Sequence, residues 1–179
     1  MKKHTFTLVE IVMVIALIGV LTALAVGGYS YAMGSAKESA TRAIIKQAEA
    51  ALENVRAKHG FYLPMDAQSA GGGKIYVMDD DGNADAEEVT EQWLEKNLGL
   101  SGNKLQEQKK VFQPAVADFL KTLDVESLRE YVDDDGALCD AWGAPLVYKA
   151  PDKDLKKNLT IRSHGPDEII DDDDDLLNN

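Results

Sequence analysis

Two hydrophobic patterns follow one another along this chain. From Phe6 to Tyr29 the residues are almost wholly apolar, and Glu10 is the one charge among them. A run of about 18 or more apolar residues is long enough to cross a bilayer as a helix. From Tyr31 to His59 the pattern becomes one-sided. Ala36, Ala40, Ala43, Ile44, Ala48, Ala51, Leu52 and Val55 recur at spacings of three and four, the mark of a helix buried along one face. Lys37, Glu38, Arg42, Lys46, Glu49, Glu53, Arg56 and Lys58 fill the other positions. No proline interrupts either stretch, and Gly60 follows as a stop signal. The two patterns together predict one helix over about residues 6–59, on the order of 80 Å long. Gly27-Gly28 lies within it. That pair is read either as a bend, since Gly costs roughly 1 kcal/mol against Ala in a helix, or as a site of close interhelical packing.

Beyond Gly60 the elements shorten. Residues 65–90 read as a loop region in which Gly71-Gly72-Gly73 is a flexible joint and Lys74 to Met78 a short strand. Residues 90–132 look helical. Trp93, Leu94 and Leu98 share one set of turns, and Val116, Phe119, Leu120, Leu123, Leu128 and Val132 follow. Pro114 is expected at a helix start, where its missing N–H is harmless. Pro145–Lys149 and Asn158–Arg162 read as strands, with Leu146, Tyr148, Leu159 and Ile161 supplying the alternation. Pro151 to Lys157 is their polar connecting loop. Trp142, beside Gly143, is expected as a core anchor.

Charge places the ends of the chain. Lys2, Lys3 and His4 precede the apolar run, and the positive-inside rule puts that end in the cytoplasm. Everything after the span is then expected outside the cytoplasm. A cleaved signal peptide is the simplest competitor, but its apolar core is usually only about 7–15 residues. An ordinary single-span anchor is the other. It has no use for Glu10, because intramembrane carboxylates are costly and mark function by default. Near the end of the span that cost is smaller, so a functional and a merely snorkelling Glu10 both stand. About 150 residues remain for one modest extracytoplasmic domain. The net charge of −12 argues against a nucleic-acid partner. Cys139 is the only cysteine, so no intrachain disulfide forms.

The acidic residues are clustered. Asp79, Asp81, Asn83 and Asp85 alternate, as they would in a calcium loop or a plain acidic turn. An EF-hand would need Gly where Ala84 stands. Asp171 to Asp175 are five adjacent carboxylates. Two unit charges about 4 Å apart cost on the order of 4 kcal/mol at an effective dielectric near 20. Such a run is either solvated and disordered or gathered on a hard cation such as calcium. His59, His164 and Cys139 do not form a zinc ligand set.

Lys2-Lys3-His4-Thr5-Phe6-Thr7-Leu8-Val9-Glu10, with the apolar run after it, resembles the N-terminus of type IV pilins and type II secretion pseudopilins. Gly60-Phe61-Tyr62-Leu63-Pro64 resembles the turn that follows the long helix in that family. Asp140-Ala141-Trp142-Gly143-Ala144-Pro145 resembles a turn of its major pseudopilin. Thr5 stands where the family usually has Gly, and residues 65–139 fall outside the resemblance, as a variable insertion with no assigned role. The resemblance implies an α+β pilin-like fold, a long N-terminal helix packed on a small antiparallel sheet. It implies a leader at residues 1–5, a membrane or filament-core half at 6–29, and a periplasmic domain at 30–179. A prepilin peptidase would cut between Thr5 and Phe6, and Phe6 would be N-methylated. Glu10 would meet the amine of a neighbouring Phe6 in the filament. Calcium would be held by Asp167, Asp174 and Asp175, with a carbonyl from near Ser163.

The function so implied is that of a type II secretion pseudopilus subunit, anchored in the bacterial inner membrane and assembled into a periplasmic filament. Its partners would be further copies, minor pseudopilins, the inner-membrane assembly platform and the peptidase. A surface type IV pilin for adhesion, motility or DNA uptake is one alternative. A membrane-anchored calcium-binding module that never polymerises is another. No nucleophile, base and orienting group stand together in any motif, so no enzyme activity is expected.

Overall fold

A computed structural model describes residues 7–63, 72–150, 159–167 and 176–177. The chain falls into two units, Met1–Lys37 and Glu38–Asn179. One helix, α1 (Leu8–His59), contributes to both. In the first unit its apolar side chains are exposed on every side, from Leu8 through Met13, Leu17 and Leu24 to Tyr31. The helix continues through Gly27-Gly28 without a break. Among the described residues, nothing beyond the helix's own backbone and the adjacent residues lies within 4 Å of a Cβ built at either glycine.

In the second unit α1 buries Thr41, Ile44, Ile45, Ala48, Ala51, Leu52 and Val55. This is the expected stripe with a small rotation. Ala43 faces solvent, and Ile45 and Thr41 take part instead. Burying each large aliphatic is worth roughly 1.5–3 kcal/mol, far more than the few tenths by which helix propensities differ among such residues. Packing therefore sets the face. The helix ends where the Gly60 amide donates to Arg56 O.

Residues 73–131 contribute to the same core. Helix α2 (Ala86–Leu98) is capped by Asp85, whose carboxylate accepts from the Glu87 and Glu88 amides. It ends at Gly99 in the left-handed conformation. Helix α3 (Gly102–Leu123) follows, then a 3₁₀ segment, Val125–Tyr131. Pro114 lies inside α3, not at a helix start. An interior proline removes one backbone hydrogen bond and costs about 3 kcal/mol. Here it is tolerated on the exposed face, where Lys110, whose carbonyl loses its partner, is also exposed to water. The core tryptophan is Trp93 of α2, fully buried, with its indole N–H donating to Tyr76 O at 2.8 Å. Its ring meets Tyr76 and Tyr148 edge-on. Trp142, the expected anchor, is only partly buried at the core's margin.

Four short strands form an antiparallel sheet in the order β1 (Gly73–Lys74), β2 (Val147–Lys149), β3 (Thr160–Ser163), β4 (Leu176–Leu177). Tyr148 pairs with Ile161, and Ser163 with Leu176. All four are buried, so these register pairs mark the inward face. The strand expected over Lys74–Met78 shrinks to β1 and a single bridge between Tyr76 and Ala137. The result is an α+β, pilin-like layout: the helix of the second unit and a small antiparallel sheet share one core.

Candidate functional site

The turn at Asp140 and the end of β3 meet in the core. Asp140 is 1 % exposed and Ser163 is fully buried. Asp140 Oδ1 accepts from the amides of Trp142 (2.9 Å) and Ala144 (3.0 Å). Its other oxygen, Oδ2, accepts the Ser163 hydroxyl at 2.6 Å. Ser163 Oγ accepts in turn from the Gly165 amide at 3.1 Å. The Ala141 amide donates to Thr41 Oγ1 on α1. A buried carboxylate requires several such donors, and Asp140 has three. Sequence reasoning missed it as the hub of this region. A carboxylate followed by a Trp-Gly turn was visible, but its partner in β3 was not.

This network bears on the expected calcium ligands. The Ser163 side chain is committed to Asp140. Asp167 closes a short 3₁₀ turn, Gly165–Asp167. The pairing of Ser163 with Leu176 returns the chain to where that turn begins. Asp174 and Asp175 lie outside the described residues. Among the described residues no three His, Cys, Asp or Glu side chains gather to hold a metal.

At the other end of the chain, Thr5 and Phe6 also lie outside the described residues. Glu10 lies within them and has a local task. Thr7 N and Thr7 Oγ1 both donate to Glu10 Oε2, at 3.3 and 3.4 Å, and the Glu10 amide donates to Thr7 Oγ1 at 3.3 Å. This is a reciprocal capping box, Thr-x-x-Glu at a helix start. Its signature stood in Thr7-Leu8-Val9-Glu10, overlooked beside the membrane argument. Leu8–His59 is the one helix among the described residues long and apolar enough to cross a membrane.

The alternating acids at 79–85 divide their work. Asp79 Oδ1 accepts from the amides of Asp81 (2.9 Å) and Asn83 (2.8 Å), fixing a turn. Asp85 caps α2. Burial alone would raise the Asp79 carboxyl, but hydrogen bonds from Asn83 and Asp81 and the neighbouring Glu88 hold it below its usual value. Glu88 is pushed up by the hydrogen bond and charge of Asp79 and by further acids at Asp85 and Asp81. Elsewhere in the core, burial pushes the Cys139 thiol up to about 12, leaving it protonated and unreactive at neutral pH.

Comparison with known proteins adds no family assignment: no protein-family model, curated protein or solved structure matches this chain.

Proposed function

We propose that this chain is the structural subunit of a type II secretion pseudopilus. It would be cut before Phe6 and assembled through its N-terminal helix into a periplasmic filament that helps export folded proteins. The observation that carries this reading is the first unit of α1. Apolar side chains are exposed around its whole circumference, with a single carboxylate near its start. Such a surface needs lipid or neighbouring helices to cover it. In a filament core, an ammonium from the next subunit is the partner that lets Glu10 remain buried as a carboxylate. The pilin-like layout of the second unit and the N-terminal motif support the same reading. In this proposal calcium, held by Asp167, Asp174 and Asp175, supplies positive charge that the acidic tail lacks. The chain itself catalyses nothing.

The Thr7–Glu10 capping box favours a second reading, a single-span anchor in which Glu10 merely starts the helix. Two substitutions separate the two. Glu10→Gln keeps an acceptor for the cap but loses the charge, whereas Glu10→Ala loses both. The filament reading expects membrane insertion without assembly for both variants. The anchor reading expects Glu10→Gln to behave as the native chain. Mass spectrometry of the native N-terminus is the companion test. The proposal expects an N-methylated Phe6; an unmodified Met1 on a chain that stays monomeric in its membrane would overturn it.

A further inference from the structure

Between the 79–82 turn and α2 lies a surface groove of about 400 Å³, lined by acids, Gln92 and Lys96. Its acids are not equally satisfied. Asp80 accepts from Gln92 Nε2 (3.1 Å) and lies 3.4 Å from Lys96 Nζ. Glu91 is paired with Lys109 of α3. Asp79 and Gln92, in contrast, each bury an acceptor that is unpartnered among the described residues. Asp79 is 6 % exposed and Gln92 7 %. Asp79 Oδ1 is spent on the turn, and among the described residues its Oδ2 has no partner; the neighbouring Glu88 carboxyl donates to Asp79 only when it is protonated. Gln92 Nε2 donates both to Asp80 and to Asp135 O, which fixes the amide's orientation and leaves Oε1 unpartnered. Exposed Glu88 stands at the same groove.

Two buried acceptors without donors, set among carboxylates, define what is missing. The absent group must offer hydrogens, because both orphans only accept. It should carry positive charge, because Asp79, Asp80, Asp81, Glu88, Glu91 and Glu95 line the groove against Lys96. A bare metal ion suits the site poorly. Calcium wants six to eight oxygens, and among the described residues no three His, Cys, Asp or Glu side chains converge on one point.

We propose that the groove lined by Asp79, Asp81, Glu88, Gln92 and Glu95 receives a cationic nitrogen donor, an ammonium or guanidinium group. That group comes either from a free amine or from a basic side chain of a second copy of this chain. Charge-assisted N–H bonds to Asp79 Oδ2 and Gln92 Oε1 would satisfy both orphans at once. The inference does not depend on the filament reading.

The test uses the full chain in detergent micelles. Methylguanidinium chloride, n-butylammonium chloride and calcium chloride are titrated separately, with sodium chloride at matched ionic strength as the control. NMR follows the Gln92 side-chain amide and the Asn83 backbone amide. The expected result is saturable shifts with the organic cations and none with sodium. Apparent affinity should fall about tenfold or more in Asp79→Asn, the size of one lost charge-assisted hydrogen bond. Asn keeps an oxygen for the Asp81 and Asn83 amides, so the turn should survive. Glu88→Gln, at an exposed position, is a second variant and should also weaken binding, because it removes one charge and its amide can donate to Asp79. Saturation by calcium alone would overturn the proposal in favour of a metal. No saturable response to any cation would overturn it in favour of a hydrated groove. Amine binding that disperses self-associated chains identifies the second copy as the source. Amine binding that leaves association unchanged identifies a free ligand.

Discussion

The Ser163 hydroxyl donates a 2.6 Å hydrogen bond to Asp140 Oδ2, tying the end of β3 to a turn 23 residues earlier. Asp140→Ala would strand three buried donors, the Trp142 and Ala144 amides and the Ser163 hydroxyl. Each orphaned group costs about 1–3 kcal/mol, so the expected loss of stability is roughly 3 kcal/mol or more. Asp140→Asn keeps one oxygen for the two amides and offers an N–H to Ser163 Oγ. It should cost clearly less. Denaturant midpoints of the two variants check the order, and equal losses would show that packing, not hydrogen bonding, holds the turn.

Gly136 and Gly99 both have left-handed backbones, at φ +77° and +62°. They differ in surroundings. A Cβ on Gly136 would lie 2.0 Å from Met78 O, whereas at Gly99 no neighbour among the described residues lies within 4 Å. Gly99→Ala should cost only the conformational penalty, about 1–2 kcal/mol. Gly136→Ala must also displace the backbone that receives the Val77 and Met78 amides at Gly136 O. It should cost more than about 3 kcal/mol or prevent folding. Thermal melts of the pair decide this, and similar midpoints would contradict the close approach.

Acid should weaken the contact between α1 and α3. Asp118 accepts from His59 Nε2 at 2.8 Å and Lys58 Nζ at 3.0 Å. These bonds, His59 first, hold its carboxyl below the usual value of 3.8. A carboxyl depressed in the folded state stabilises the fold above its unfolded value. That contribution disappears as pH falls through the folded value. The groups are partly exposed, so it amounts to about 0.5–1 kcal/mol. Asp118→Asn should therefore lower the urea midpoint at pH 7, and the gap from native should narrow at pH 3. A gap independent of pH would assign the effect to packing.

Calcium removal tests the acidic tail. If Asp167, Asp174 and Asp175 hold the ion, calcium at 100 times its Kd adds about 2.7 kcal/mol. For a domain of this size that is on the order of 5–10 °C in Tm. Chelator should remove the gain in the native chain and have no effect in Asp174→Asn/Asp175→Asn. An unchanged midpoint on chelation would remove calcium from the account. Loss of the gain in Asp79→Asn instead would move the metal to the α2 groove.

The sequence by itself determined the elements whose signals are local. A helix repeats every 3.6 residues, so the apolar run and the stripe from Ile44 to Val55 announced α1 without any knowledge of its neighbours. The strands around Tyr148 and Ile161 announced themselves by alternation. The capping box at Thr7 and Glu10 was equally local. Tertiary structure decided what depends on groups distant in sequence. That Trp93 and not Trp142 fills the core, that Pro114 sits inside α3, and that Leu176 completes the sheet beside Ser163 all follow from packing around a shared interior. Whether a carboxylate is a turn, a hub or an orphan rests on who donates to it. Asp140 and Asp79 look alike in sequence. Asp140 found its third donor in β3, while Asp79 Oδ2 found none among the described residues, because hydrogen-bond partners are assigned by the fold and leave no periodic trace along the chain.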